Sequence, residues 1–389
     1  MKILMINIMC GIKSTGRICT DLAYALEDKG NEVRIAYGRE NVPEEFLRYA
    51  HKIDSNIDIL THGIKARLFD ADGFGSKRAT KRLIEWIEDY NPDVIHLHNL
   101  HGYYINIELL FKYLKQSGKR VIWTLHDCWS FTGHCTFFEN AKCEKWKTGC
   151  KKCQQKKEYP ASILFDNSRR NYKRKKELFM DIEKLSFVTP SNWLADLLSN
   201  SFLKEYPVNV INNGINTSVF YHRESSILEK IGIKSVKMVL GVATPWSERK
   251  GFNDFLALSK ILPDEYKIVL VGLSREQKEM LPSNILGIER TDSADELAQL
   301  YSSAYVFVNP TYEDNYPTTN IEAIACGTPV ITYNTGGSVE SVAQSCIVEK
   351  GDIKGIADII LNNKLRIPEN MDVSKERMLE KYLDLYNAI

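Results

Sequence analysis

Two acidic side chains, Asp314 and Glu322, stand with seven residues between them inside the stretch NPTYEDNYPTTNIEAIACGTPVITYNTGG, residues 309–337. The apolar run 304–308 before it reads as a buried strand. Pro317 suits a first helical position, where a missing N–H costs nothing. The helix is expected to run to Cys326 and stop at Gly327, with Pro329 behind it. Residues 330–333 read as the next strand and Gly336-Gly337 as the next tight turn. The N–H groups that open such a helix form an anion site. Asp314 lies just before them and Glu322 one to two turns in. A phosphate on the amides, with a carboxylate holding hydroxyls on either side, suits a nucleotide-sugar, which is a pyrophosphate between two polyols. The competing interpretation is an ordinary strand–helix–strand with solvated acids.

The tail EAIACGTPVI, together with the acid-x7-acid spacing, resembles the E-x7-E signature of retaining glycosyltransferases of the GT-B fold that use nucleotide-sugars. The chain departs from it twice: the first acid is Asp314 rather than Glu, and Pro317 stands where the family often has Gly. That amide is absent, so Thr318 and Thr319 are left to supply the phosphate N–H groups. Upstream, Trp246-Ser247-Glu248-Arg249-Lys250-Gly251 follows the strand 238–242. Arg249 can hold a pyrophosphate by its fork and Lys250 as a point charge. The family pattern separates that Arg from Lys-Gly; here the two are adjacent. The resemblance implies a leaving diphosphate on Arg249, Lys250, Thr318 and Thr319, a ribose on Glu322, and a donor-sugar hydroxyl on Asp314.

In the first half, His126-Asp127 ends the apolar run 121–125, and ligands of open α/β sheets collect at such carboxyl ends. His126 matches a histidine that relatives place beside the donor sugar; the alternative is a structural histidine bonded to a loop. Ser14–Arg17 open a helix after the first strand, and the resemblance suggests a loop near Gly16 that closes over donor or acceptor. A plain helix start capped by Ser14 or Thr15 is the alternative. His96, His98 and His101 crowd the end of the strand 93–99, with His96 and His98 on one side. With no acidic pattern nearby, they read as buried polar histidines rather than metal ligands.

Five of the nine cysteines fall between Cys128 and Cys153. Cys135, Cys143, Cys150 and Cys153 follow C-x7-C-x6-C-x2-C, and four thiolates around zinc would hold together a loop too polar for a core of its own. From residue 142 to 177 there are 13 Lys and Arg against four Asp and Glu. The stretch ends in the run 169–176 on a helix expected from Ser162 onward, and Tyr159, Ile163, Leu164, Phe165 and Tyr172 lie among the charges. That suits an anionic bilayer surface, through residues 142–176, better than a merely solvated face. Nucleic acid is not expected, since no nucleic-acid motif accompanies the charge.

The elements that must position these residues alternate strand and helix along most of the 389 residues, a length for two domains of about 150–200 residues. Net charge is +1, but residues 1–190 carry 32 Lys and Arg against 24 Asp and Glu, a net +8, and the remainder 19 against 26, a net −7. Strands are expected at 2–7, 33–37, 93–99, 121–125, 187–190 and 208–211, then at 238–242, 267–271, 304–308, 330–333 and 346–348. Residues 41–76 have no clear assignment. The fold class expected is α/β of the GT-B type: two Rossmann-like doubly wound domains facing a cleft. Residues 1–211 form the acceptor side, with a Cys-rich basic insertion at 128–160; 212–373 form the donor side; the helix 374–389 packs back on the first domain. The first residues lead straight into a strand, so no export signal is expected, and no apolar run approaches the roughly 20 residues of a membrane helix.

The function expected is retaining transfer of a sugar from a UDP- or GDP-sugar to an acceptor hydroxyl, without a catalytic metal. Its acceptor would be a lipid-linked or oligosaccharide chain of bacterial surface polysaccharide, met at the inner face of the cell membrane by a cytoplasmic, peripheral protein. The alternatives are a GT-B-like sugar phosphorylase or nucleotide-sugar epimerase, and a non-enzymatic zinc-bearing binder of anionic polymers.

Overall fold

In the computed structural model, which describes residues 1–53, 56–233 and 236–388, short apolar runs become the strands of two parallel sheets. The chain divides into Met1–Ile211 with Leu379–Ile389, and Asn212–Met378.

The first unit holds β1 (Lys2–Asn7), β2 (Glu32–Tyr37), β3 (Ala50–Lys52), β4 (Val94–Leu97), β5 (Arg120–Thr124), β6 (Leu185–Thr189) and β7 (Val208–Val210), in the order 3-2-1-4-5-6-7. Ile3 to Ile6 of β1 are wholly buried, because helices cover both faces of a parallel sheet and the strand therefore reads as a continuous apolar run. The helices are α1 (Lys13–Asp28), α2 (Asn56–Phe69), α3 (Lys77–Tyr90), α4 (Ile107–Ser117), α5 (Ser168–Phe179) and α6 (Asn192–Ser199). Ser191 caps α6 by accepting the Leu194 N–H at 3.1 Å.

Three expectations need correction here. The unassigned segment contains β3 and α2. α1 begins at Lys13, so Ser14 and Thr15 lie inside its first turn, with no side-chain cap on it. The basic helix starts at Ser168, not Ser162. Residues 163 and 165 spend their N–H groups on the carbonyls of Arg67 (2.6 Å) and Leu68 (3.2 Å), so the segment is tied as a bend to the end of α2. Asp166 then accepts the Ser168 N–H at 2.9 Å as the helix opens.

The second unit holds β8 (Lys237–Val242), β9 (Tyr266–Val271), β10 (Ile285–Ile288), β11 (Val306–Asn309), β12 (Val330–Tyr333) and β13 (Ile347–Val348), in the order 10-9-8-11-12-13. Its helices are α7 (Ile227–Lys230), α8 (Phe252–Leu258), α9 (Arg275–Glu279), α10 (Ala294–Ser303), α11 (Thr318–Ala325) and α12 (Ile353–Leu361). Strand β10, with Gly287 inside it and only Ile285 buried, gave no sequence signal.

The last helix, α13 (Lys375–Asn387), ends against the first sheet. The Tyr386 hydroxyl meets His96 Nδ1 at 2.5 Å, Tyr382 meets Thr124 at 3.1 Å, and Arg120 donates to the carbonyls of Leu385 and Tyr386, a cation on a helix C-terminus. Among the described residues no helix is long and apolar enough to cross a membrane. In each sheet the strand order reverses once, between β1 and β4 and between β8 and β11. Ligands of doubly wound folds gather outside the carboxyl ends of strands at such a reversal.

Candidate functional site

The loops after β8 and β11 meet at that position in the second unit. After β8 the chain makes a short 3-10 turn, Glu248–Lys250, closed by Gly251 at φ +75°. A Cβ on Gly251 would stand 2.4 Å from the Pro310 carbonyl oxygen, so glycine is what lets this turn lie against the first residue after β11. Tyr312 N–H donates to the Arg249 carbonyl at 2.8 Å, and the Arg249 guanidinium donates to the Glu313 carbonyl at 2.7 Å. Lys250 Nζ is thereby set 2.5 Å from Asp314 Oδ2, with both side chains mostly buried. On the other side, Gly336 at φ +52° brings the loop after β12 onto the Asp314 carbonyl, where a Cβ would stand at 1.9 Å.

α11 starts directly after this loop. Pro317 is its N-cap rather than its first helical residue, and no side chain caps the helix. Thr318 and Thr319 are half-buried in its first turn. Glu322 follows at the i+4 and i+3 spacings from them, so the three share one face. The Tyr301 hydroxyl donates to Glu322 Oε2 at 3.2 Å. Burial, and then the Glu322 charge, push the Tyr301 pKa well up, so the hydroxyl keeps its proton for that bond. A buried network of Asn309, Asn320, Ser338 and Thr332 ties β11, α11 and the turn after Gly337 together. The sequence-predicted Lys250 and Asp314 are thus brought into contact. Arg249 joins the same loops through its carbonyl, which accepts from Tyr312, and its guanidinium, which donates to the Glu313 carbonyl.

In the first unit, His126 and Asp127 follow β5 and the histidines of the β4 end face them. His126 Nε2 and His98 Nδ1 are 3.2 Å apart, and His98, His101, His126 and Asp127 line a small cavity with Trp129 and Ser130. Burial lowers the His126 pKa to about 4 and that of His96 to about 3, so both rings are neutral hydrogen-bonding groups near neutral pH. His101 differs: although burial works against its charge, the Asp127 carboxylate, 2.7 Å from Nε2, raises its pKa. Tyr159 Oη completes that contact on Nδ1 at 3.1 Å. The sequence reading missed the His101–Asp127 pair; the acid directly after His126 was the available signal. Gly16 is buried in the first turn of α1, and its carbonyl accepts the Gly11 N–H at 3.1 Å.

The cysteine insertion folds onto the first core with Trp146 and Phe138 stacked at 4.9 Å. The Cys135 thiol hydrogen-bonds to Cys153, and the Gly133 N–H points at Cys150 Sγ at 3.3 Å. The donors are of the type zinc takes, yet among the described residues no three His, Cys, Asp or Glu converge to hold a metal ion. Within the basic stretch, Tyr172 and Lys175 are buried. Lys175 donates to the Trp129 carbonyl, and Arg174 is spent on Glu108. That stretch is therefore only partly a free cationic face.

Two Rossmann-like units with such loops at their sheet ends form the GT-B fold of sugar-transferring enzymes. The chain belongs to glycosyltransferase family 4: residues 15–219 match the model described as Glycosyltransferase Family 4, and residues 236–363 match that described as Glycosyl transferases group 1. It is 25% identical over 359 residues (89% of this chain, 86% of the other) to an Escherichia coli K12 protein, WcaC, assigned as a colanic acid biosynthesis glycosyl transferase. It is 24% identical over 228 residues (52% of this chain, 60% of the other) to the Campylobacter jejuni N,N'-diacetylbacillosaminyl-diphospho-undecaprenol alpha-1,3-N-acetylgalactosaminyltransferase. Among solved structures, Anabaena HepE in complex with UDP-glucose superposes with a TM-score of 0.67 at 13% identity, over 100% of both chains. A Thermosynechococcus elongatus sucrose-phosphate synthase superposes with a TM-score of 0.69 at 16% identity, over 100% of this chain and 98% of that one.

Proposed function

We propose that this glycosyltransferase moves a sugar from a nucleotide-diphosphate-sugar to an acceptor hydroxyl with retention at the anomeric carbon, in the building of a bacterial surface polysaccharide. The observation that carries the reading is the Lys250–Asp314 contact at the carboxyl ends of β8 and β11, immediately before the uncapped start of α11. Bond breaking builds positive charge on the sugar and negative charge on the leaving diphosphate. Lys250, Arg249 and the Thr318 and Thr319 amides stabilise the leaving charge, Glu322 holds the ribose, and Asp314 holds a donor-sugar hydroxyl beside the developing cation. His126 and Gly16 are assigned to the same reaction on the family resemblance alone. The neutral state of His126 suits it to a hydroxyl rather than to a phosphate.

A UDP-sugar is the first donor to test, because the HepE structure of the same fold holds UDP-glucose; GDP-sugars are the second. The colanic acid relative supports a polysaccharide product, and the undecaprenol-linked substrate named for the C. jejuni relative supports a lipid-linked acceptor. Such an acceptor lies at a membrane, and we assign the anionic surface contact to residues 142–176. The test is a transfer assay whose product is read by NMR for anomeric configuration. Retention and release of a nucleoside diphosphate support the proposal; inversion, or turnover that needs inorganic phosphate, removes it.

A structural zinc on Cys135, Cys143, Cys150 and Cys153 is proposed separately, on the type of the four donors and the Cys135–Cys153 contact. Elemental analysis of protein purified without chelator should find about one zinc per chain. Four freely titrating thiols and no metal in the native protein would reject it.

A further inference from the structure

The far end of the Cys-rich insertion returns to the first sheet through one side chain. Tyr159 Oη stands 3.1 Å from His101 Nδ1, and His101 Nε2 stands 2.7 Å from Asp127 Oδ2. His101 lies in the loop after β4 and Asp127 in the loop after β5. The hydroxyl also lies over Gly102, which has φ +103°. A Cβ there would stand 3.4 Å from Tyr159 Oη and 2.1 Å from Cδ1 of Ile8, the residue after β1, so glycine gives the tyrosine its seat. The tip of the ring is thus set over the ends of β1 and β4, where the strand order of the first sheet reverses and a ligand is expected. The Thr136 hydroxyl holds the Tyr159 carbonyl at 3.3 Å. Although pinned at its tip and its backbone, Tyr159 is 45% exposed, so a flank of the ring is open.

His101 decides what that hydroxyl can do. A carboxylate only accepts, so Nε2 carries its proton toward Asp127. With Nδ1 protonated as well, the ring donates to Tyr159 Oη and the phenol hydrogen is left over; with Nδ1 bare, the ring takes that hydrogen. Among the described residues Tyr159 Oη has no other hydrogen-bond partner. Burial and the Lys175 cation oppose a charge on His101, but the Asp127 and Asp72 carboxylates outweigh them and raise its pKa, while the nearby His126 ring is neutral. Burial, with Asp72, Tyr103 and Asp127 and against Arg39, raises the Tyr159 pKa, so the phenol keeps its hydrogen. A fixed aromatic ring with an open flank and a spare O–H suits a pyranose, whose C–H face packs on the ring while one of its oxygens accepts from the phenol.

We propose that Tyr159, carried by the Cys-rich insertion, is a contact residue for a pyranose ring of the acceptor, and that His101 is the positioning residue that frees its hydroxyl to donate. This contact rests for its purpose on the sugar-transfer reading above, and it takes Tyr159 out of the face assigned there to the bilayer. Glycoside binding is measured without donor. Its failure leaves the donor site standing, and a failure of nucleotide-sugar binding leaves this contact standing.

The experiment is saturation-transfer difference NMR of the full chain with the methyl glycosides of glucose, galactose, mannose and N-acetylglucosamine. Irradiating the protein should transfer saturation to the ring C–H protons of at least one of them. Tyr159→Ala should bind that glycoside about tenfold or more weakly. Tyr159→Phe, which keeps the ring and loses the donor, should bind it about threefold to tenfold more weakly. Tyr159→Leu, which keeps apolar bulk without a ring, decides in the same way if melting shows that Tyr159→Ala does not fold. From neutral to alkaline pH the parent should bind more weakly as His101 gives up its proton, whereas Tyr159→Phe and His101→Gln should each bind alike across the series. No saturation transfer to any glycoside, or binding by the ringless variant equal to the parent's, would overturn the contact. Parent binding that does not change with pH, or His101→Gln following the parent's pH profile, would overturn the role of His101.

Discussion

Replacing Lys250 by alanine separates what this residue does for the fold from what it does for the reaction. Its ion pair with Asp314 is short, 2.5 Å, but the side chains remain 25% and 18% exposed. A pair in such a setting contributes about 1 kcal/mol to the fold. In a unit of this size that corresponds to a shift of about 2–4 °C in melting temperature. The proposed catalytic role is larger. A unit charge about 4 Å from another at an effective dielectric near 20 interacts by about 4 kcal/mol, and loss of one preorganised stabiliser of a leaving group costs roughly 3–4 kcal/mol. Lys250→Ala should therefore lower kcat by about 10²–10³ while melting within a few degrees of the parent. Initial rates over a range of donor concentration, paired with a melting curve, measure both. Parent-level turnover would refute the role of Lys250. A collapse in melting temperature would show that the pair is chiefly structural.

Glu322→Gln should raise the KM for donor more than it lowers kcat, and the effect should shrink with a donor lacking ribose hydroxyls; steady-state kinetics with both donors decide. Gly336→Ala should destabilise the second unit by about 2 kcal/mol or more, since a Cβ at φ +52° meets the Asp314 carbonyl, and should cut turnover as well; denaturant melts and rates test this. His96 and His126 have folded pKa values of about 3 and about 4, below the unfolded value near 6.5. The unfolded chain therefore binds more protons between those limits. Stability is fully present above about pH 6.5 and falls as pH is lowered toward 4, by roughly 2–3 kcal/mol per buried histidine at pH 4.5. His96→Phe should flatten that part of a stability–pH curve; an unchanged slope would contradict it.

The sheets were largely legible because buried parallel strands are continuous apolar runs: the run 330–333 became β12 with the same bounds. The block around Asp314 was legible for the same reason, since strand, helix start and Gly-Gly turn each leave a local signal. What was not legible depends on contacts distant in sequence. Residues 162–167 have helical composition, yet their N–H groups are claimed by the end of α2 nearly 100 positions earlier. Helix α2 itself gives no clean period, because a histidine is buried and isoleucines and a leucine face out. Lys175 looks like one more surface cation in a basic run, but burial against Trp129 lowers its pKa to about 7. The pairing of His101 with Asp127 needs β4 and β5 side by side before it can be seen.

The most direct test of the central claim is a calorimetric titration of the purified chain with a panel of UDP- and GDP-sugars, repeated on Lys250→Ala and Glu322→Gln. The account predicts that one nucleotide-sugar binds the parent at one site per chain and binds each variant about tenfold or more weakly. Equal binding by parent and variants would contradict the assignment of the site, and no binding of any nucleotide-sugar would contradict the claim itself.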